Sequence, residues 1–185
     1  MKVLGICGSP RKGGNTEYLL QLVLESAAAE GAETELICLC DKEISPCREC
    51  RVCLDLERCV IEDDMQAIHA KLLEADAIVL GTPVFFNNIS GLLKAFMDRT
   101  WCIRGRLRNK IGGVVAVGRR YGIEGAITAI NAYLLKHEMI VANRGVSGFA
   151  YEKGEIVHDQ QAIDDARKLG KRIIELGRLL ALNNR

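Results

Sequence analysis

Met1-Lys2-Val3-Leu4-Gly5-Ile6-Cys7-Gly8-Ser9-Pro10-Arg11-Lys12-Gly13-Gly14-Asn15-Thr16 opens a chain of 185 residues. Met1–Cys7 is a short apolar run ending at a glycine, the pattern of a buried strand. Gly8–Gly14 is a loop, and Asn15–Glu30 carries a helical apolar stripe of Leu19, Leu20, Val23, Leu24 and Ala27. Strand, glycine-rich loop and helix in direct succession is how a parallel α/β sheet begins.

Outward from that unit the alternation repeats. Glu33–Leu39 alternates as a second strand. Asp63 and Asp64 start a helix through Leu73, their carboxylates favourable at its N-terminal dipole. Ala77–Gly81 is a wholly apolar third strand that Pro83 breaks, and Ser90 caps a helix running toward Trp101. Ile111–Val117 is a fourth strand, Gly118–Gly125 a loop and Ala126–His137 a helix. Met139–Ala142 with Val146–Phe149 form a fifth strand region, and Asp159–Leu182 is the closing helix. Apolar strands alternating with helices predict a parallel sheet covered on both faces. The expected fold is a doubly wound, five-stranded α/β domain over residues 1–185, in the flavodoxin-like order 2-1-3-4-5. A cysteine-rich insertion at about 41–63 interrupts it after the second strand. Ligands of such sheets gather at the carboxyl ends of the strands, where the glycine-rich loops and the cysteine segment all fall.

The loop after the first strand offers free backbone N–H groups and a positive helix end to a phosphate. It lacks the triphosphate-loop pattern G-x-x-x-x-G-K-[ST] and the dinucleotide pattern G-x-G-x-x-G. A terminal monophosphate fits better, with Ser9, Asn15 and Thr16 as donors and Arg11 as counter-charge. A polar turn with a satisfied cap is the plainer alternative.

Cys47, Cys50, Cys53 and Cys59 read C-x2-C-x2-C-x5-C. Thiolates so spaced surround a compact metal centre, and the first three match the run that holds iron–sulfur cubes. Zinc ribbons separate their pairs by a longer stretch. Zinc, disulfides and idle thiols remain the alternatives to a [4Fe–4S] cluster. Cys7, Cys38, Cys40 and Cys102 read as small buried apolar residues. His69, His137 and His158 lack metal spacing and read as solvated or capping. Arg99, Arg104, Arg106, Arg108 and Lys110 form a basic stretch. It is either a solvated loop or a landing patch for an acidic carrier or the phosphate of NADPH.

A net charge of +1 gives no reason to expect nucleic acid or membrane surfaces as partners. No run of about eighteen apolar residues and no signal-peptide pattern is present. The expectation is therefore the cytoplasm, where eight cysteines favour metal or redox chemistry over disulfides.

Ser9-Pro10-Arg11, Gly14-Asn15-Thr16, Thr82-Pro83-Val84-Phe85-Phe86 and Leu93-Lys94-Ala95-Phe96-Met97-Asp98-Arg99 resemble the NADPH-dependent FMN reductase group of flavodoxin-like proteins. With the cysteine run and Asp63-Asp64-Met65, the chain resembles the iron–sulfur flavoproteins of methanogens and other anaerobes. The likeness continues through Gly118–Gly122 and Glu124-Gly125-Ala126. It implies an FMN phosphate on Ser9, Arg11, Gly14, Asn15 and Thr16. It puts the flavin ring between Pro83, Val84, Phe85, Phe86, Asn87 and Asn88 on one side and Gly118, Arg119, Tyr121 and Gly122 on the other. It assigns the [4Fe–4S] cluster to Cys47, Cys50, Cys53 and Cys59.

The implied function is an FMN-dependent oxidoreductase passing electrons from ferredoxin or NAD(P)H to a quinone, dioxygen or peroxide. The flavin carries the chemistry, no side chain is catalytic, and a homodimer or homotetramer completes the site. A cluster-free NAD(P)H-dependent FMN or quinone reductase is the alternative. A colourless, zinc-bearing interaction module is a third reading, against which the flavin motifs argue.

Overall fold

The computed structural model describes residues 1–182. Six strands form one parallel sheet: β1 (Lys2–Cys7), β2 (Glu33–Cys38), β3 (Ala77–Pro83), β4 (Ile111–Gly118), β5 (Ile140–Val141) and β6 (Val146–Phe149). The order is β2-β1-β3-β4-β5, as the sequence predicts, with β6 also paired to β4. The fifth strand region is two short strands sharing one edge of β4. β5 pairs with Ile111 and Gly112, and β6 with Val115–Gly118. Between them the Gly145 N–H donates to Asn143 Oδ1 at 2.9 Å, and Gly145 takes a left-handed φ of 113°. That turn interrupts the pairing with β4.

The helices are α1 (Asn15–Ala29), the single turn α2 (Cys53–Leu56), α3 (Met65–Glu74), α4 (Gly91–Arg99), α5 (Ile123–Lys136) and α6 (Gln160–Leu182). Side chains alternate across the central strands, so each strand feeds two cores. Ile78, Leu80 and Val114 meet Leu72 of α3, Phe96 of α4 and Ile130 of α5. Val79 and Val115 point the other way, onto Leu19 and Val23 of α1 and Leu169 and Ile173 of α6. Each such side chain contributes about 1.5–3 kcal/mol on burial. This two-sided covering is why β3 and β4 read as unbroken apolar runs.

Three polar expectations are corrected. Arg99, expected in the exposed basic stretch, is buried at 2 % exposure. It lies one turn beyond Phe96 on the inward face of α4, where Asp63 pairs with it. His69 and His137 are buried, so neither is solvated, while His137 does cap the end of α5 as the other expectation had it. His69 Nε2 lies 3.0 Å from the Arg99 carbonyl at the end of α4, and His137 Nε2 lies 3.0 Å from Thr100 Oγ1. Arg104, Arg106 and Arg108 are exposed as expected, while Lys110 donates to the carbonyls of Leu73 and Ala75. Burial pushes the Cys7 thiol up to about 12, in keeping with an inert core residue.

Two predictions follow from this packing. A Cβ on Gly170 of α6 would stand 2.3 Å from the Val23 carbonyl oxygen of α1. Gly170→Ala should therefore cost about 1–3 kcal/mol, read as a lower urea midpoint. Burial above all lowers the pKa of both His69 and His137; the Arg99 charge also lowers the former and Lys136 the latter. The unfolded chain then takes up protons first, so stability present above about pH 6.5 is lost as pH falls toward the depressed folded values. Urea midpoints across that range should fall in the wild type and fall less in a His69→Gln, His137→Gln variant.

Candidate functional site

Two recesses carry the residues singled out in the sequence. The first lies at the carboxyl end of the sheet, between the loops after β1, β3, β4 and β6. It is an open cleft of about 190 Å³ lined by Ser9, Pro10, Arg11, Gly14, Asn15, Thr16, Pro83, Val84, Phe85, Gly118 and Arg119, joined by Ala150, Tyr151 and Lys153. Gly14 caps α1 without a side-chain hydrogen bond, and the amides of Asn15, Thr16 and Glu17 find no acceptor among the described residues. Such a helix start presents N–H groups to an anion. The Gly13 amide, by contrast, donates to Glu17 Oε2 at 2.7 Å.

Side-chain roles differ from expectation in detail. The Ser9 hydroxyl is turned onto its own loop, accepting from the Arg11 N–H at 3.1 Å. Asn15 spends its side chain on the segment after β6: Nδ2 donates to the Glu152 carbonyl and Oδ1 accepts from the Gly154 N–H, both at 2.8 Å. Arg11 donates to the Tyr151 carbonyl, and Lys153 Nζ donates to the Lys12 carbonyl at 2.8 Å. Tyr151–Gly154 is thus a strap across the phosphate loop, and it puts a second cation, Lys153, into the cleft. Sequence reading missed this segment because it lies more than 130 residues from the loop it covers. The rule that ligand loops follow strands would have found it if applied to the fifth strand.

The loop after β3 turns tightly. Phe85 and Asn88 exchange both backbone hydrogen bonds, and Phe86 and Asn87 between them have φ of 48° and 62°. Left-handed backbone is uncommon for phenylalanine, and Phe86 is fully exposed. Cβ atoms on Gly122 and Gly125 would meet the Asn87 backbone at 2.4 and 2.5 Å. The tips of the two loops therefore pack on each other. Their bases, Pro83–Phe85 and Gly118–Arg119, line the cleft, whereas Phe86, Asn87, Asn88, Tyr121 and Gly122 do not. The Arg119 guanidinium stacks 4.6 Å from the Tyr151 ring centroid.

The second recess, about 730 Å³, lies between the insertion and the ends of α4 and α5. Cys47, Cys50, Cys53 and Cys59 all line it, facing Met97, Thr100, Trp101, Tyr133, Lys136 and His137. The four thiols are free. Among the described residues no three His, Cys, Asp or Glu side chains converge closely enough to hold a metal ion unaided. Burial, then the Cys59 and Cys50 sulfurs, pushes the Cys53 thiol up. Cys102 lies below, buried, with Sγ donating to the Arg99 carbonyl at 3.4 Å.

Residues 1–153 match the NADPH-dependent FMN reductase family. The chain belongs to that family. An iron–sulfur flavoprotein of Methanocaldococcus jannaschii is 44% identical to it over 191 residues, covering 97% of this chain and 99% of that one. An iron–sulfur flavoprotein of Methanosarcina thermophila is 38% identical over 178 residues, covering 91% and 93%. The crystal structure of RosB with bound 8-demethyl-8-formylriboflavin-5'-phosphate shares the fold, with a TM-score of 0.81 at 19% identity over 98% of this chain and 80% of that chain.

This FMN reductase family member is an FMN-dependent oxidoreductase. The cleft offers the features an FMN phosphate needs, unpartnered amides at the start of α1 and two cations, Arg11 and Lys153, with the bases of the loops after β3 and β4 across from them. Lys153→Ala should weaken FMN binding about tenfold, since a hydrogen bond to a charged group is worth about 1.5–3 kcal/mol. Asn15→Ala, which releases the strap, should do the same. Titration of the apoprotein with FMN measures both, and unchanged affinity would place the phosphate elsewhere.

Proposed function

We propose that this oxidoreductase relays single electrons through a [4Fe–4S] cluster on Cys47, Cys50, Cys53 and Cys59 to FMN. FMN then passes electrons to a small acceptor such as a quinone, dioxygen or peroxide. The observation that carries the reading is that all four cysteines of the motif line one recess of the flavin domain. Free thiols ligate iron as thiolates, and the C-x2-C-x2-C run is the spacing that does so. Taking up iron and sulfide would draw the four sulfurs inward from the walls of the recess. A cluster supplies one-electron transfer and a flavin one or two, so together they join the two regimes.

The protein's own part is to hold both groups and admit a donor. Arg104 lies 5.3 Å from the Trp101 ring, and Trp101 and Lys136 line the cysteine recess. These cations suit an acidic carrier such as ferredoxin, and a reduced pyridine nucleotide is the other donor. The cysteine recess and the flavin cleft share no lining residue. The relay is therefore proposed to run between subunits of a homodimer or homotetramer, in the cytoplasm. No helix among the described residues is long and apolar enough to cross a membrane.

The family match supports a second reading, a cluster-free NAD(P)H-dependent FMN or quinone reductase with idle or zinc-bound cysteines. Anaerobic purification with iron, sulfide and flavin analysis separates the two. Under the first, Cys50→Ser should abolish iron and sulfide binding yet retain FMN, and Cys102→Ser should leave iron unchanged. Reduced ferredoxin should then reduce the FMN of the Cys50→Ser protein much more slowly, while dithionite still reduces it. Equal ferredoxin rates in both proteins would remove the relay.

A further inference from the structure

Arg99 is the largest of the fully buried side chains among the described residues, and its guanidinium is wholly shielded from solvent. Nη1 donates to the Ser45 carbonyl at 2.7 Å and to Asp63 Oδ2 at 2.6 Å. Nη2 donates to the Ile61 carbonyl at 3.1 Å and to Asp63 Oδ1 at 2.9 Å. Asp63 in turn accepts from the amides of Ser45 and Met65, both at 3.0 Å. Ser45 precedes the four cysteines and Ile61 follows them. A single side chain of α4 thus closes the neck of the whole insertion.

A guanidinium has five N–H donors, and its remaining one is the informative one. Arg99 Nε is buried and has no partner. Buried donors are satisfied with few exceptions, and an exception next to a ligand site points to a ligand group. Nη2 already holds the carbonyl of Ile61, two residues beyond Cys59, while Nε has no partner. Burial works against the Arg99 charge, and Asp63 and then Cys59 favour it. Arg99 and Asp63 are formally neutral as a pair.

We propose that Arg99 Nε–H donates to the sulfur of Cys59 once iron is bound, making Arg99 a positioning residue that raises the reduction potential of the cluster. The inference rests on the iron–sulfur reading above. Four thiolates make a ligated cluster anionic, and one added electron makes it more so. Hydrogen bonds to its sulfurs favour the more negative state. Arginine holds that donor permanently, because it is not deprotonated in proteins. Asp63 partly offsets the positive charge, so it should act in the opposite direction.

The test is a redox titration of the anaerobically loaded full chain, with dithionite supplying the electron and electron paramagnetic resonance reading the reduced cluster. Arg99→Lys keeps a cation but has no Nε–H in that position. It should disfavour cluster reduction about tenfold, a downward shift of about 59 mV for one electron. Asp63→Asn removes the counter-charge and should shift the cluster upward. The FMN potential should move in neither variant. Opposite shifts separate tuning from anchorage, because a merely structural tie would lower iron content or melting temperature without moving the potential. Unchanged potentials in iron-replete variants would overturn the proposal. So would loss of iron from both variants with FMN retained, which would leave Arg99 an anchor only. Wild-type protein that takes up no iron would instead remove the cluster reading on which the proposal stands.

Discussion

The buried hydroxyl of Ser90 fixes the geometry on which the cleft at the carboxyl end of the sheet depends. Its Oγ donates to the Gly8 carbonyl at 2.6 Å and accepts from the Leu93 N–H at 3.1 Å, while its own N–H donates to Thr82 Oγ1 at 3.0 Å. One residue thereby ties the exits of β1 and β3 to the start of α4. The approach is so close that a Cβ on Gly8 would meet Leu93 Cβ at 2.6 Å. With the two exits locked, the loops after β1 and β3 are held together, and the start of α1 keeps its place beside the base of the loop after β3.

The same helix organises the other recess from its far end. Its N-terminus is capped by Ser90, and its last residue, Arg99, reaches into the neck of the cysteine insertion. Burying that ion pair carries a desolvation cost of several kcal/mol for each ion, offset by the bidentate geometry and the carbonyls around it. Burial works against the charged form of Asp63, but Arg99 and the Ser45 and Met65 amides outweigh it and hold the carboxyl below its ordinary range. The cysteine-bearing insertion has a single four-residue helical turn and leaves Val52, Leu54, Leu56 and Val60 exposed, so it buries little apolar surface of its own. A fully desolvated tie at its neck is what gives it a fixed place on the domain. α4 therefore connects the two recesses mechanically.

Much was legible in the sequence because it followed from local rules. Apolar runs of strand length between amphipathic helices require a parallel sheet with both faces covered, and the order 2-1-3-4-5 places the glycine-rich loops at one edge. Ser90 as a cap and the compact cysteine spacing depend on residues a few positions apart. The split of the fifth strand was less visible, since it turns on one left-handed glycine and one side-chain bond from Asn143.

The sequence by itself determined the fold class, the glycine-rich loop after β1 and the cysteine motif, because periodicity and spacing within about twenty residues encode them. Tertiary structure alone decided that Lys153 joins the cleft, that Asn15 serves the strap, and that the tips of the loops after β3 and β4 pack on each other. It also decided that Arg99, one of five basic residues in a short stretch, is the buried one. Burial is a property of where a helix face points and what meets it there. For Arg99 that partner is Asp63, 36 residues earlier, and no local pattern records the meeting.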